Sequence, residues 1–109
     1  MIIQGTNNPL IFTFPEEMKS IKDIEICLYS ENIELKHWTL TDIVFKDEYT
    51  IEAPLTQEES VLFPVGKCTI EIKYMDKTGY TVFAKTINNA IVHRFDHTIM
   101  EGANTNGTD

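Results

Sequence analysis

The sequence predicts an all-β fold, an antiparallel β-sandwich of about seven strands with one short helical crossover near residues 56–62. Three observations carry this. Apolar residues recur at every second position, turn-forming residues interrupt them at short intervals, and the one helical signal is confined between two prolines.

Each element can be read in order. In PLIFTF, Leu10, Phe12 and Phe14 alternate with Ile11 and Thr13. The preceding MIIQGT is separated from it by Asn7-Asn8-Pro9, so residues 1–14 are expected to form an edge strand that switches sheets. In DIEICLYS, Ile24, Ile26 and Leu28 share one face, and Glu25, Cys27 and Tyr29 the other. Ser30-Glu31-Asn32 is a turn, after which NIELKHW sets Ile33 and Leu35 against Glu34 and Lys36. KCTIEIKYM sets Cys68, Ile70, Ile72 and Tyr74 against Thr69, Glu71, Lys73 and Met75. Asp76-Lys77-Thr78-Gly79 is a hairpin loop whose glycine supplies a positive φ. YTVFAKTI and AIVHRF complete the series, with a bend or a bulge expected at Asn88-Asn89. In LTQEESVLF, Thr56 and Glu59 form a capping box, but Pro54 and Pro64 leave room for only a turn or two of helix. The domain is expected over residues 1–100, followed by a flexible polar tail at 101–109.

Composition narrows the function classes. At 109 residues, the chain suffices for a single core. The net charge of −8 resides in residues 1–60, where twelve acids face four lysines. Such a half repels a phosphate backbone, so no direct nucleic-acid binding is expected. An acidic face would nonetheless suit docking on a basic partner; Glu31, Glu34, Asp42, Asp47, Glu48 and Glu52 are its candidates. No apolar run approaches a membrane span, and the start lacks the basic and apolar segments of a secretory signal. The expectation is therefore no membrane partner and a cytoplasmic origin.

Catalytic and metal chemistry find little support in the residues. Glycine-rich phosphate loops and nucleophile elbows are missing from the sequence, and the Glu16-Glu17 and Glu58-Glu59 pairs are adjacent, so no enzyme is expected. His93 and His97, with Asp96 beside them, have helical metal-ligand spacing in an extended context and would not share a face. Two distant cysteines make no zinc framework, so neither metal nor cofactor is expected. Cys27, Trp38 and Cys68 follow the immunoglobulin order of strands B, C and F. Strand parity nonetheless places Cys27 and Cys68 on opposite faces, which predicts two free thiols.

Aromatic and apolar residues that escape the core pattern are contact candidates: Tyr29, Trp38, Met75 and Phe83. Phe83 is expected to point outward from its strand.

Four stretches carry a family resemblance: MIIQGTNNPLIFTF at the start, LTQEES at 55–60, IEIKYMDKTG at 70–79, and Ala90–Arg94. Together they resemble small Ig-like proteins of phages and prophages of Firmicutes, similar to the amino-terminal domain of baseplate upper proteins. The resemblance implies an Ig-like sandwich without catalytic residues. It also implies a structural or accessory role at the tail or baseplate, neck or head of the particle, exercised through protein–protein docking. The implied partners are other phage structural proteins or a host protein, with a homo-oligomer as one form. The implied location is the host cytoplasm during assembly and then the virion. The alternative is a small acidic inhibitor of a host defence nuclease, anti-CRISPR-like, acting as a nucleic-acid mimic.

Overall fold

A computed structural model describes residues 1–93. The expected tail at 101–109, and His97 and Asp96, lie outside the described residues. The elements are β1 (Ile2–Ile3), β2 (Leu10–Thr13), β3 (Asp23–Ser30), β4 (Ile33–Thr39), β5 (Val44–Phe45), β6 (Thr50–Ala53), α1 (Gln57–Val61), β7 (Gly66–Met75) and β8 (Val82–Val92). No helix among the described residues is long and apolar enough to cross a membrane.

Two sheets form an Ig-like sandwich. One has the order β1-β8-β7-β3-β4 and the other β2-β6-β5. The smaller sheet corresponds to strands B, E and D of the Ig arrangement. The larger one corresponds to G, F and C, with β4 as the additional C′ strand of variable-type domains. The first segment divides as its break at Asn7-Asn8-Pro9 implies. β1 runs parallel to β8 in the large sheet, whereas β2 runs antiparallel to β6 in the small one. Between them, Gly5 adopts φ 75°, a conformation that a side chain would resist.

The alternation read from the sequence places the core. Ile24, Ile26 and Leu28 of β3 and Ile70, Ile72 and Tyr74 of β7 are buried against Leu10, Phe12, Ile51 and Ala53 of the small sheet. Each such aliphatic side chain contributes about 1.5–3 kcal/mol by leaving water. The crossover closes one side. Thr56 Oγ1 accepts from Glu59 N at 3.0 Å and Glu59 Oε1 accepts from Thr56 N at 3.0 Å, completing the capping box around α1. Ser60 Oγ donates to the Thr6 carbonyl at 2.6 Å, and Gln4 Nε2 to the Phe63 carbonyl at 2.5 Å. These bonds fasten α1 to the segment joining β1 and β2.

Three local expectations need correction. Ladder pairing runs without interruption through Asn88 and Asn89, opposite Thr69 and Cys68, so no bulge exists there. The bulge falls in β4 instead. Tyr29 faces Glu34 and Leu28 faces Lys36, leaving Leu35 as the extra residue. From that point the parity of β4 inverts, and Lys36 and Trp38 join the inner face opposite Leu28 and Ile26. Ile33, which precedes the bulge opposite Ser30 at the end of the strand, is 66% exposed. The Ig mapping also shifts by one strand for Cys27 and Trp38, whereas Cys68 keeps its place on strand F, here β7. Cys27 lies on β3 and Trp38 on β4, not on B and C. Cys27 and Cys68 therefore belong to one sheet, project from its opposite faces, and are free thiols.

Candidate functional site

The outer face of the large sheet gathers the functional candidates. Its side chains follow from the register: Glu25, Cys27 and Tyr29 on β3, Thr39 and His37 on β4, Glu71, Lys73 and Met75 on β7, and Val82, Ala84 and Thr86 on β8. β-strands present alternate residues to alternate faces, so these side chains form one continuous surface. Two of its regions differ in chemistry.

The apolar region lies at the β7–β8 hairpin. Met75 and Val82 are direct cross-strand partners. Val82 is 49% exposed, and Tyr80 in the loop is 92% exposed. Asp76 shapes that loop: its Oδ1 accepts from Thr78 Oγ1 at 2.6 Å and from Gly79 N at 3.1 Å. These bonds, the Thr78 hydroxyl first, hold the Asp76 carboxyl below the usual range. Gly79 takes φ 79°, as its place in the loop requires.

The polar region lies roughly 13–20 Å away along the strands, around Cys27 and Tyr29. Cys27 faces His37 on one side and Glu71 on the other. One donor atom each from Cys27, Glu34 and His37 lies within 4.8 Å of the other two. Glu25 Oε1 stands 3.7 Å from His37 Nε2. Burial pushes the Cys27 thiol above its ordinary range, and Glu34 and Glu25 add to the rise against a lowering hydrogen bond with Tyr29.

Of the four contact candidates, Tyr29 and Met75 lie on this outer face, at opposite ends. Trp38 does not: its side chain is 1% exposed, and its Nε1 donates to the Pro54 carbonyl at 2.8 Å. The Leu35 bulge turned it inward, so it is a core residue rather than an anchor. Phe83 is also turned inward. It stacks on Tyr74 with ring centroids 5.0 Å apart, and it is half-buried because the three-stranded sheet leaves much of β8 uncovered.

The six candidate acids do not make one face. Glu31 and Glu34 belong to the β3–β4 hairpin, whereas Asp47, Glu48 and Glu52 belong to the small sheet and its β5–β6 turn. Asp42 Oδ2 accepts from Thr39 N at 2.9 Å, and Asp47 Oδ1 from Tyr49 N at 2.9 Å. Both carboxyls are held low by those backbone bonds and serve turns. Glu52 is buried, with Lys46 Nζ at 3.7 Å.

The Cys27–Glu34–His37 cluster was not singled out from the sequence. A hairpin turning at Glu31-Asn32 without a bulge pairs Cys27 with Lys36, and the one-residue bulge moves His37 into that place. The available signal was the pair of a thiol and an imidazole on strands joined by a two-residue turn.

No protein-family model matches the chain, and no curated protein matches it. Among solved structures, the chain is similar to the V domain of amphioxus IgVJ-C2, with 13% identity and a TM-score of 0.40, over 84% of this chain and 95% of that one.

Proposed function

We propose that this chain is a non-enzymatic phage structural or accessory protein that works by docking on other proteins of the particle. The stretches MIIQGTNNPLIFTF, LTQEES, IEIKYMDKTG and Ala90–Arg94 support the phage part of the reading through their resemblance. The docking part rests on the apolar region at the β7–β8 hairpin, where Tyr80 and Val82 stand in water beside Met75. Large apolar side chains grouped at the end of a sheet mark a contact surface more often than isolated ones do. On this reading the partner is another structural protein of the particle, met in the host cytoplasm and retained in the virion. The division of the acids between the two sheets gives no support to the nucleic-acid mimic.

The test is quantitative mass spectrometry of particles purified from cells that encode the chain. The wild type is expected in intact particles at a fixed copy number, and Tyr80→Ser/Val82→Ser is expected to be lost from them while remaining folded by circular dichroism. Particles without the wild-type chain would overturn the proposal.

A further inference from the structure

We infer that Cys27, Glu34 and His37 form a binding site for a zinc-class transition-metal ion on the outer face of the large sheet. The three donors come from adjacent strands and lie within 4.8 Å of one another. Tetrahedral zinc, with bonds of about 2.0–2.3 Å, places its ligand atoms roughly 3.3–3.8 Å apart. Side-chain rotation of half-buried Cys27 and exposed Glu34 and His37 covers the difference without moving the backbone.

The donor set selects the metal. A thiolate, an imidazole and a carboxylate suit a borderline ion such as Zn²⁺, whereas Mg²⁺ and Ca²⁺ prefer oxygen ligands alone. The surroundings favour a cation. Glu25 stands 3.7 Å from His37 Nε2, and Glu71 faces Cys27 from β7. On this face Lys73, opposite Glu25, is the basic side chain nearest in register, since Lys36 turns to the inner face. Tyr29, two residues from Cys27 on the same face of β3, stands beside the sulfur and outside the ligand set. Three protein ligands leave a fourth position open toward solvent, the arrangement in which water or a donor from a docked partner completes the shell.

Cobalt(II) reports on such a site in the reduced 109-residue chain. The expected result is one ion per chain, a near-ultraviolet thiolate-to-cobalt band, and visible bands of four-coordinate cobalt that zinc displaces. Cys27→Ser is expected to abolish the thiolate band, whereas Cys68→Ser retains it. His37→Ala is expected to weaken binding about tenfold or more, by analogy with the loss seen for outer-shell changes. A wild-type chain without the band, or a band that survives Cys27→Ser, would overturn the assignment. A second readout does not depend on variants. Zinc must shift the ring resonances of His37 in the NMR spectrum, and shifts confined to His93 would also overturn it.

Discussion

The Lys36 ammonium pairs with the Glu59 carboxylate, joining the edge strand β4 to the first turn of α1. Lys36 also lies over the Trp38 ring, its Nζ 5.5 Å from the centroid. Glu59 thus has two tasks, closing the capping box with one oxygen and holding Lys36 with the other. Glu59→Ala removes both and is expected to cost about 1–2 kcal/mol in urea denaturation. Glu59→Gln keeps an oxygen for the Thr56 N–H and is expected to cost less than about 1 kcal/mol, since the pair is partly exposed.

The same pair makes stability depend on acid. Burial raises the Glu59 pKa, but Lys36 and the Thr56 bonds outweigh it and hold the carboxyl below its ordinary value near 4.5. A depressed folded-state pKa contributes stability that is fully present above the unfolded value and lost as pH falls through the folded one. Wild type and Glu59→Gln are therefore expected to converge in melting temperature below pH 4.5. A constant gap across that range would contradict the pairing.

Tyr74 gives the complementary alkaline case. Its hydroxyl donates to Glu16 Oε2 at 2.7 Å, and its ring meets Phe14 edge-on with centroids 5.3 Å apart. Burial, then the Glu16 carboxylate, raises the phenol pKa far above its ordinary value of 10.0. A raised folded-state pKa contributes stability that is present below the unfolded value and lost as pH rises through the folded one. Tyr74→Phe is expected to cost about 1 kcal/mol at neutral pH and to flatten the decline in stability above pH 10.0. Chemical denaturation at several pH values measures both.

Trp38 tests the inner packing. Trp38→Phe leaves the Pro54 carbonyl without its indole donor and is expected to cost about 1–3 kcal/mol. Trp38→Ala adds a cavity and is expected to cost about 3–5 kcal/mol. Both variants remove the single tryptophan, so urea denaturation followed by circular dichroism measures the loss against wild type. A loss below 0.5 kcal/mol, roughly the size of a neutral surface change, would contradict burial of this ring.

Much of this fold was legible in the residues because period-two alternation determines which face a strand buries. DIEICLYS and KCTIEIKYM put their isoleucines inside as read, and the Thr56–Glu59 box marked α1. The opening stretch divides between the sheets where Asn7-Asn8-Pro9 breaks it. What escaped was a single backbone event. A bulge has no strong residue signature, and one extra residue inverts every later side chain of its strand. Hence Trp38 looked like a contact residue, and the pairing of His37 with Cys27 went unread. Phe83 was misread for another reason, since how far one sheet covers the other is not encoded in either strand alone.

The central claim is therefore the register of β3 against β4, which faces Cys27 with His37 and turns Lys36 inward. It is tested most directly by adding one cysteine at position 37 or 36 and oxidising gently. Directly opposed strand residues lie about 4.5–5.5 Å apart at Cα, within the span of a disulfide. His37→Cys is expected to yield a linked Cys27-containing peptide in the mass spectrum, and Lys36→Cys is not. A link to Cys27 from position 36 and none from position 37 would contradict the bulge at Leu35.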